Sequence, residues 1–283
     1  MKAQSRGSQH RSLHVETLEG KAMLAAILPD AIADNAPVNA LPVRPVIVDA
    51  SGDAAVVRQR KISSAESDSL LFMREEEKLA RDVYLELGDR YGAQIFYQIA
   101  ESESRHTEAV ANLLTKHGIA DPVVSDQRGE FTNPLFTQMY QQLVQRGSTN
   151  ILEAYRVGVL IEQTDIQDIA DSLNVVSEKD IQRVYENLLA GSENHLVAFN
   201  NAIAGIGDVN NDGRFDSADL VRVMQVGEYE DGIDGNSTFA EGDWNLDGDF
   251  DSADLVLAMQ VGHYVPTAVA EDIAAALDAN ERI

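Results

Sequence analysis

The sequence predicts an all-α fold, made of a four-helix bundle followed by a small module of two loop–helix repeats. Four segments between about residues 66 and 204 place apolar side chains three and four residues apart, which is the spacing of one helix face. A twelve-residue acidic loop and a helical segment then occur twice in succession. With 283 residues, of which 44% are hydrophobic, the chain can form one sizeable core and a small second one.

Charge and residue types exclude several classes of function. The chain has 47 Asp and Glu against 22 Lys and Arg, a formal charge of -25, so nucleic acids and anionic membrane surfaces are poor partners and cations are better ones. Because the chain has no cysteine, thiolate metal sites, disulfides and cysteine nucleophiles are excluded. No apolar run reaches the roughly 20 residues that a membrane span needs, so none is predicted.

The first 65 residues are predicted to precede the folded part. Residues 1–26 are basic near the start and end in small residues, and the segment from Arg11 to Ala26 resembles the N-terminal motif of many extracellular proteins of planctomycete bacteria. This resemblance implies an export leader and an extracellular or cell-surface location, and the alternative is a tail with no addressing role. Residues 27–65 hold four of the seven prolines, which indicates a linker.

Each of the four bundle helices carries polar side chains at mid-length of its apolar face. The helices are predicted from near Leu70, from near Ala93, over about 149–173 and over about 178–203. Their inward polar residues are Glu77, Glu103, His106, Glu162, Asp165, Ser192 and His195. An unpaired buried carboxylate costs several kcal/mol, so these acids need a compensating charge. Two metal ions would supply it.

The same segments carry a resemblance to a protein family. Residues 75–84, 102–107 and 191–196 are similar to motifs of a largely uncharacterised prokaryotic ferritin-like family, and the spacing from Glu77 to Tyr84 resembles the first helix of rubrerythrins. The segment of about 118–148, with a short helix near 135–144, suits the long crossover between helices 2 and 3 of that fold. The resemblance implies a dinuclear site of two iron or manganese ions, with ligands from Glu77, Glu103, His106, Glu162, Asp165 and His195.

One position departs from the ligand pattern of such bundles. Ser192 stands where a full Glu-x-x-His motif before His195 has a glutamate, and Asp165 is expected to replace that acid across the bundle. Glu186 and Glu193 are the next candidates, each one step out of phase with His195.

Other side chains near these acids carry structural expectations. Glu75 and Glu76 lie off the apolar face of the first helix and are expected to be solvated. Tyr84, Tyr155 and Tyr185 are expected to point inward, either as core aromatics that hydrogen-bond an acid or as relays for electrons.

The two acidic loops, residues 208–219 and 243–254, have the ligand pattern of EF-hand calcium loops. Positions 1, 3, 5, 9 and 12 are Asp or Asn, position 6 is Gly for the sharp turn, and position 7 offers its backbone carbonyl. Two calcium ions are therefore predicted. The ligands are Asp208, Asn210, Asp212, Arg214, Asp216 and Asp219 in the first loop and Asp243, Asn245, Asp247, Asp249, Asp251 and Asp254 in the second.

The duplicated unit of about residues 205–264 resembles a dockerin domain. Position 12 is Asp instead of the long Glu of sensor EF-hands, and only one helix follows each loop, which disfavours a calmodulin-type switch. The resemblance implies a cohesin-like protein partner, recognised in part by Ser217-Ala218 and Ser252-Ala253. Residues 265–283 are predicted to form a helical tail that packs on either part.

Two functions remain open from the sequence. In the first, the bundle binds its dinuclear non-haem centre for oxidase, ferroxidase or peroxide-scavenging chemistry, while the dockerin-like module attaches the exported protein to its partner. In the second, the chain is a non-enzymatic adaptor or structural protein with a metal-poor bundle. Assembly into homo-oligomers through the bundle is compatible with both functions.

Overall fold

The computed structural model describes residues 62–261 and 263–266. The predicted export leader, nearly all of the predicted linker and the predicted C-terminal helix after residue 266 lie outside the described residues. Helices make up 69% of the described part, and its two strands have two residues each. The prediction of an all-α protein is therefore confirmed. No helix in residues 62–261 and 263–266 is long and apolar enough to cross a membrane.

Four long helices form the larger part of the structure: α1 (Ser64–Tyr91), α2 (Gln94–His117), α4 (Ile151–Val175) and α5 (Lys179–Ala204). Helix α1 packs mainly against α2, and α4 mainly against α5. The two pairs meet where α1 contacts α4 and α2 contacts α5. All four helices lie close to the segments that the apolar spacing predicts, because burial of one face, more than local propensity, decides where these helices form.

The ends of these helices follow from local sequence. Helix α1 starts with a capping box, in which Ser63 and Glu66 bond each other's backbone N–H groups at 2.9 and 3.2 Å. It stops at Gly92, which has a φ of 66° that glycine adopts at little cost. Asn150 caps α4 by accepting a hydrogen bond from the backbone N–H of Glu153 at 2.8 Å.

The crossover between α2 and α4 covers a second face of α1. It contains the short helix α3 (Pro134–Gly147), which contacts both α1 and α4. Arg74 of α1 bonds Asp121 through Nε and Nη2 at 3.0–3.1 Å. Lys78 is fully buried, donates to the carbonyl of Gln127 at 2.8 Å and lies 4.5 Å from the ring centre of Phe131. Arg74 and Lys78, about one turn apart on α1, thus both hold the crossover against this helix.

This second covered face makes one expectation wrong. Glu75 and Glu76 were predicted to be solvated, but their exposed fractions are only 4% and 6%. Glu75 Oε1 accepts hydrogen bonds from the backbone N–H groups of Thr132 and Asn133, at 2.6 and 3.1 Å, where the crossover enters α3. The prediction failed because it treated α1 as a helix with one buried face.

The smaller part of the structure follows α5. It comprises β1 (Phe215–Asp216), α6 (Ser217–Val226), a 3₁₀ turn (Phe239–Glu241), α7 (Ser252–Val261) and β2 (Tyr264–Val265), and the two strands pair in parallel. Its core is aromatic, since Trp244 is fully buried with the rings of Phe215 and Phe250 centred 5.5 and 5.9 Å away. These rings belong to the same apolar cluster as Phe199 of α5.

Candidate metal centre

The inward polar residues of the four long helices meet at mid-length of those helices. Glu77 comes from α1, Glu103 and His106 from α2, Glu162 and Asp165 from α4, and Ser192 and His195 from α5. The three glutamates are each 1% exposed, and Asp165 and His195 are 5% and 9% exposed. The structure therefore brings together every residue that the sequence singled out for this position.

Two compact groups of ligand-type atoms lie inside this cluster. One contains Glu77, Glu103 and His106, and the other contains Glu103, Glu162 and His195. In each group the candidate ligand atoms are all within 4.8 Å of one another. Glu103 is common to both groups, so one carboxylate connects two neighbouring three-residue sets. Asp165 is in neither set.

Several ligand atoms of the cluster have no hydrogen-bond partner. Both oxygens of Glu77, Oδ1 of Asp165, Oε1 of Glu103 and Nδ1 of His195 are buried and have no assigned hydrogen bond among the described residues. Two of these oxygens lie within ion-pair distance of an imidazole: Glu103 Oε1 is 2.7 Å from His195 Nδ1, and Glu77 Oε2 is 3.3 Å from His106 Nδ1. Unpaired buried polar atoms are costly and rare in folded proteins, which indicates a group that these atoms are built to hold.

Other contacts orient the ligand side chains. His106 Nδ1 lies 2.8 Å from Glu103 Oε2 and 3.3 Å from Glu77 Oε2. The hydroxyl of Tyr84 donates to Glu162 Oε1 at 2.6 Å, as expected for an inward tyrosine beside an acid. Tyr155 and Tyr185 do not contact the cluster in this way. Tyr155 stacks on Phe96, and Tyr185 hydrogen-bonds Ser69 at 2.9 Å.

The pKa values show how the cluster balances its charge without a metal ion. Burial, reinforced by Asp165, raises the pKa of Glu77 well above its usual value, and burial raises the pKa of Glu162 to about 7. At Glu103, contacts with both histidines outweigh burial and lower its pKa to about 2. For the imidazoles the facing carboxylates outweigh burial, so the pKa of His106 is raised to about 11 and that of His195 to about 9.

Ser192 and Asp165 are in direct contact across α5 and α4. The hydroxyl of Ser192 donates a short hydrogen bond to Asp165 Oδ2. The other two candidates, Glu186 and Glu193, are exposed on α5 and lie outside the cluster. That Asp165 is a ligand stays a prediction.

The structure adds residues that sequence reasoning missed. A Cβ atom at Gly191 would lie 2.5 Å from Cε1 and 2.7 Å from Nε2 of His106, so the absence of a side chain there makes room for the imidazole. Asp168 of α4 and Glu76 of α1 add two further carboxylates beside the cluster. The three-residue spacing of Glu162, Asp165 and Asp168 was a signal that could have revealed Asp168.

The two acidic loops have the same local geometry. Position 4 of each loop is left-handed, with φ of 58° at Asn211 and 62° at Leu246. The position-12 carboxylates of Asp219 and Asp254 are fully buried and accept hydrogen bonds from the backbone of their own loops. Burial raises the pKa of Asp254 to about 6, so this carboxylate is destabilised in the absence of a cation.

Fold and site together define a class: an all-α protein with a buried carboxylate and imidazole cluster between its helices. The chain belongs to the family of the uncharacterized protein domain DUF2202, which matches residues 66–226. It is 48% identical over 141 residues to the uncharacterized protein MJ0754 of Methanocaldococcus jannaschii, a match that covers 50% of this chain and 76% of the relative. The crystal structure of hypothetical protein MJ0754 from Methanococcus jannaschii DSM 2661 is 47% identical, with 51% of this chain and 83% of that chain covered and a TM-score of 0.49.

Proposed function

We propose that the four long helices are a ferritin-like bundle that holds a dinuclear centre of iron or manganese. The observation that carries this proposal is the shared position of Glu103 between two compact ligand sets, each of which also contains one glutamate and one histidine. Paired Glu and Glu-x-x-His ligands that project inward from four helices are the pattern of di-metal carboxylate bundles. The unpaired ligand atoms fit such a group.

The charges of the cluster also fit two divalent ions. Glu77, Glu103, Glu162 and Asp165 carry four negative charges when ionised, and two divalent cations with neutral imidazoles balance them. Without metal the same acids depend on protons, which the raised pKa values of Glu77 and Asp165 reflect. Ligand atoms must be deprotonated to bind a metal, so the ions would replace these protons.

Each ligand has a role that follows from its contacts. Glu103 would bridge the two ions, His106 and His195 would each bind one ion, and Tyr84 holds Glu162 in place through its hydroxyl. When bound, such a centre supplies redox chemistry with dioxygen, peroxide or Fe²⁺ as the small substrate. Phe96 and Phe199 are fully buried and pack against Tyr84, with ring centres 6.3 and 5.2 Å from its ring.

The two loop–helix repeats are proposed as a calcium-dependent docking module of the dockerin type. The matching ligand pattern of both loops and their matching left-handed positions support this proposal. The module would attach an exported protein to a cohesin-like partner. Calcium outside cells is abundant enough for the weaker class of calcium loop.

A non-enzymatic adaptor is the second candidate function. Asp165 lies in neither compact ligand set, and Ser192 takes the place of a glutamate, which is how a bundle that had lost one ligand would look. In that case the helices display a surface while the loop module anchors the chain.

Metal analysis decides between the two functions. After selective removal of calcium, about two iron or manganese ions per chain are expected for the dinuclear centre. Glu103→Gln should lose both ions because both ligand sets contain this residue. Glu193→Gln on the exposed side of α5 is the matched control and should keep them. A parent protein without transition metal after reconstitution would favour the adaptor.

A separate pair of variants tests the fourth acid. Asp165→Ala should cost about one metal ion per chain, since the second ion then lacks anionic ligands to offset its dehydration. Adding Ser192→Glu in that background should restore the ion, because position 192 lies one turn from His195 on α5. If Asp165→Ala binds both ions as tightly as the parent, Asp165 is no ligand.

A further inference from the structure

A series of acids winds around α4 from the metal cluster to the surface. Glu162, Asp165, Asp168 and Asp171 are spaced by three residues. Three residues turn a helix through about 300°, so each step falls about 60° short of a full turn and the side chains move from the inner face to the outer face. Burial follows this path: Glu162 and Asp165 are 1% and 5% exposed, Asp168 is partly exposed and Asp171 is exposed.

A fifth carboxylate faces this series from the neighbouring helix. Glu76 of α1 is 6% exposed, and its Oε2 is buried with no hydrogen-bond partner among the described residues. Its charged neighbours include Asp168, Asp165 and Glu77, all of them acids, and it is close enough to Asp168 for a side-chain hydrogen bond. Oδ1 of Asp165 is also buried and unpaired. Asp168 therefore lies between the cluster and the exposed Asp171 along α4, and Glu76 faces it from α1.

The basic residues of α1 nearest to Glu76 in the sequence do not neutralise these acids. Arg74 pairs with Asp121 at 3.0 Å, and Arg81 pairs with Asp126 at 2.7 Å. Lys78 pairs with Asp82 of its own helix. All three are bound to the crossover or to residues beside it, whereas Glu76 faces α4. Glu76 and Asp168 are close enough to share a side-chain hydrogen bond, so without a cation a proton between the two carboxyl groups offsets their like charge.

We propose that Glu76 and Asp168 form a transit site for a divalent cation on an access route that begins at Asp171 and ends at the buried centre. This inference rests on the proposed dinuclear centre. Carboxylates three residues apart on a helix have Cβ atoms about 5–6 Å apart, so a cation can pass from one to the next without losing all of its oxygen ligands. The route also explains how a hydrated ion reaches ligands that are almost fully buried.

The test measures the rate of metal loading separately from the amount bound. Metal-free full-length protein is mixed with Co²⁺ in excess calcium, and the visible absorption of bound Co²⁺ is followed with time. The double variant Glu76→Gln, Asp168→Asn should load at least about tenfold more slowly, because acidic clefts of this kind raise association rates by that order or more. The final absorption and the number of bound Co²⁺ ions should equal those of the parent.

The matched control removes the same charge from another surface. Glu186→Gln, Glu193→Gln changes two exposed acids of α5 and should load at the parental rate. Parental loading by the Glu76 and Asp168 variant, with a normal end point, would overturn the route while leaving the centre intact. A lower end point in that variant would make the two residues ligands of the centre and would also overturn the transit role. Absence of Co²⁺ binding by the parent would overturn the centre and the route together.

Discussion

Gly191 offers a way to disturb the proposed centre without removing any ligand. It lies on α5 directly opposite His106, and a methyl group there would come within 2.5 Å of Cε1 and 2.7 Å of Nε2. Gly191→Ala is therefore expected to displace the imidazole from its present position against Glu77 and Glu103. Because the clash falls on the end of a side chain and not on backbone, the helices can stay in place.

The size of the effect follows from these distances. Carbon atoms in ordinary contact are about 3.5–4.0 Å apart, so the ring must move by about 1 Å. A metal ligand tolerates a departure of only about 0.2 Å from its proper distance, so this displacement removes His106 as a ligand or strains it. We expect transition-metal affinity to fall by about tenfold to a hundredfold, the range found when ligands lose their orientation. In the metal-free protein the clash lowers the free energy of unfolding. The higher helix propensity of Ala, about 1 kcal/mol above that of Gly, offsets part of this loss.

Two measurements on the same samples separate these effects. Competition with a chromophoric chelator gives the metal affinity, and thermal unfolding without metal gives the stability. Asn194→Ala, at an exposed position of α5, is the control that raises helix propensity without approaching His106. Parental metal affinity in Gly191→Ala would refute the assignment of His106, since a displaced ligand cannot bind as before.

Three further predictions concern the rest of the structure. Hydrogen bonds from backbone and side-chain groups outweigh burial and lower the pKa of Glu66 from 4.5 to about 2. Its carboxylate therefore stabilises the fold fully above pH 4.5, and this stabilisation is lost as the pH falls to about 2. Glu66→Gln should therefore cost up to about 3 kcal/mol in urea unfolding at pH 7, and the difference from the parent should vanish near pH 2. Lys78→Met should lower the free energy of unfolding by about 1.5–3 kcal/mol, because the buried Asp82 loses one charged hydrogen-bond partner and keeps Arg81 at 2.9 Å. An unchanged urea midpoint would contradict this. Calcium should change the fluorescence of Trp244, the single tryptophan. The double variant Asp208→Ala, Asp243→Ala should abolish this change. Arg214→Ala should keep it, since position 7 of the loop binds calcium through its backbone carbonyl.

The sequence was sufficient to predict the helices and the polar residues between them. Apolar side chains at helical spacing identify one buried face, and Glu77, Glu103 and His106 interrupt that spacing at mid-length. These predictions succeeded because the periodicity of a helix fixes which side chains share a face. The ligand role of these residues is still a prediction, since their proximity alone does not measure binding.

What the sequence could not show depends on contacts between distant segments. Burial of Glu75 arises because the crossover folds over α1, and no periodicity within α1 indicates that second cover. Glu76 is buried on the side that faces α4. The role of Gly191 depends on the distance to an imidazole on another helix. A glycine inside a helical pattern shows only that helix propensity is reduced there.

The shared position of Glu103 has a consequence for how this family can evolve. Substitution of Glu77 or Glu162 removes a residue from one ligand set, and the other set keeps all of its members. Substitution of Glu103 removes a residue from both sets at once, so it leaves no variant in which one set is intact. Related sequences without glutamate at this position should therefore carry varied residues in place of both histidines. Sequences that keep the glutamate should retain at least one complete set.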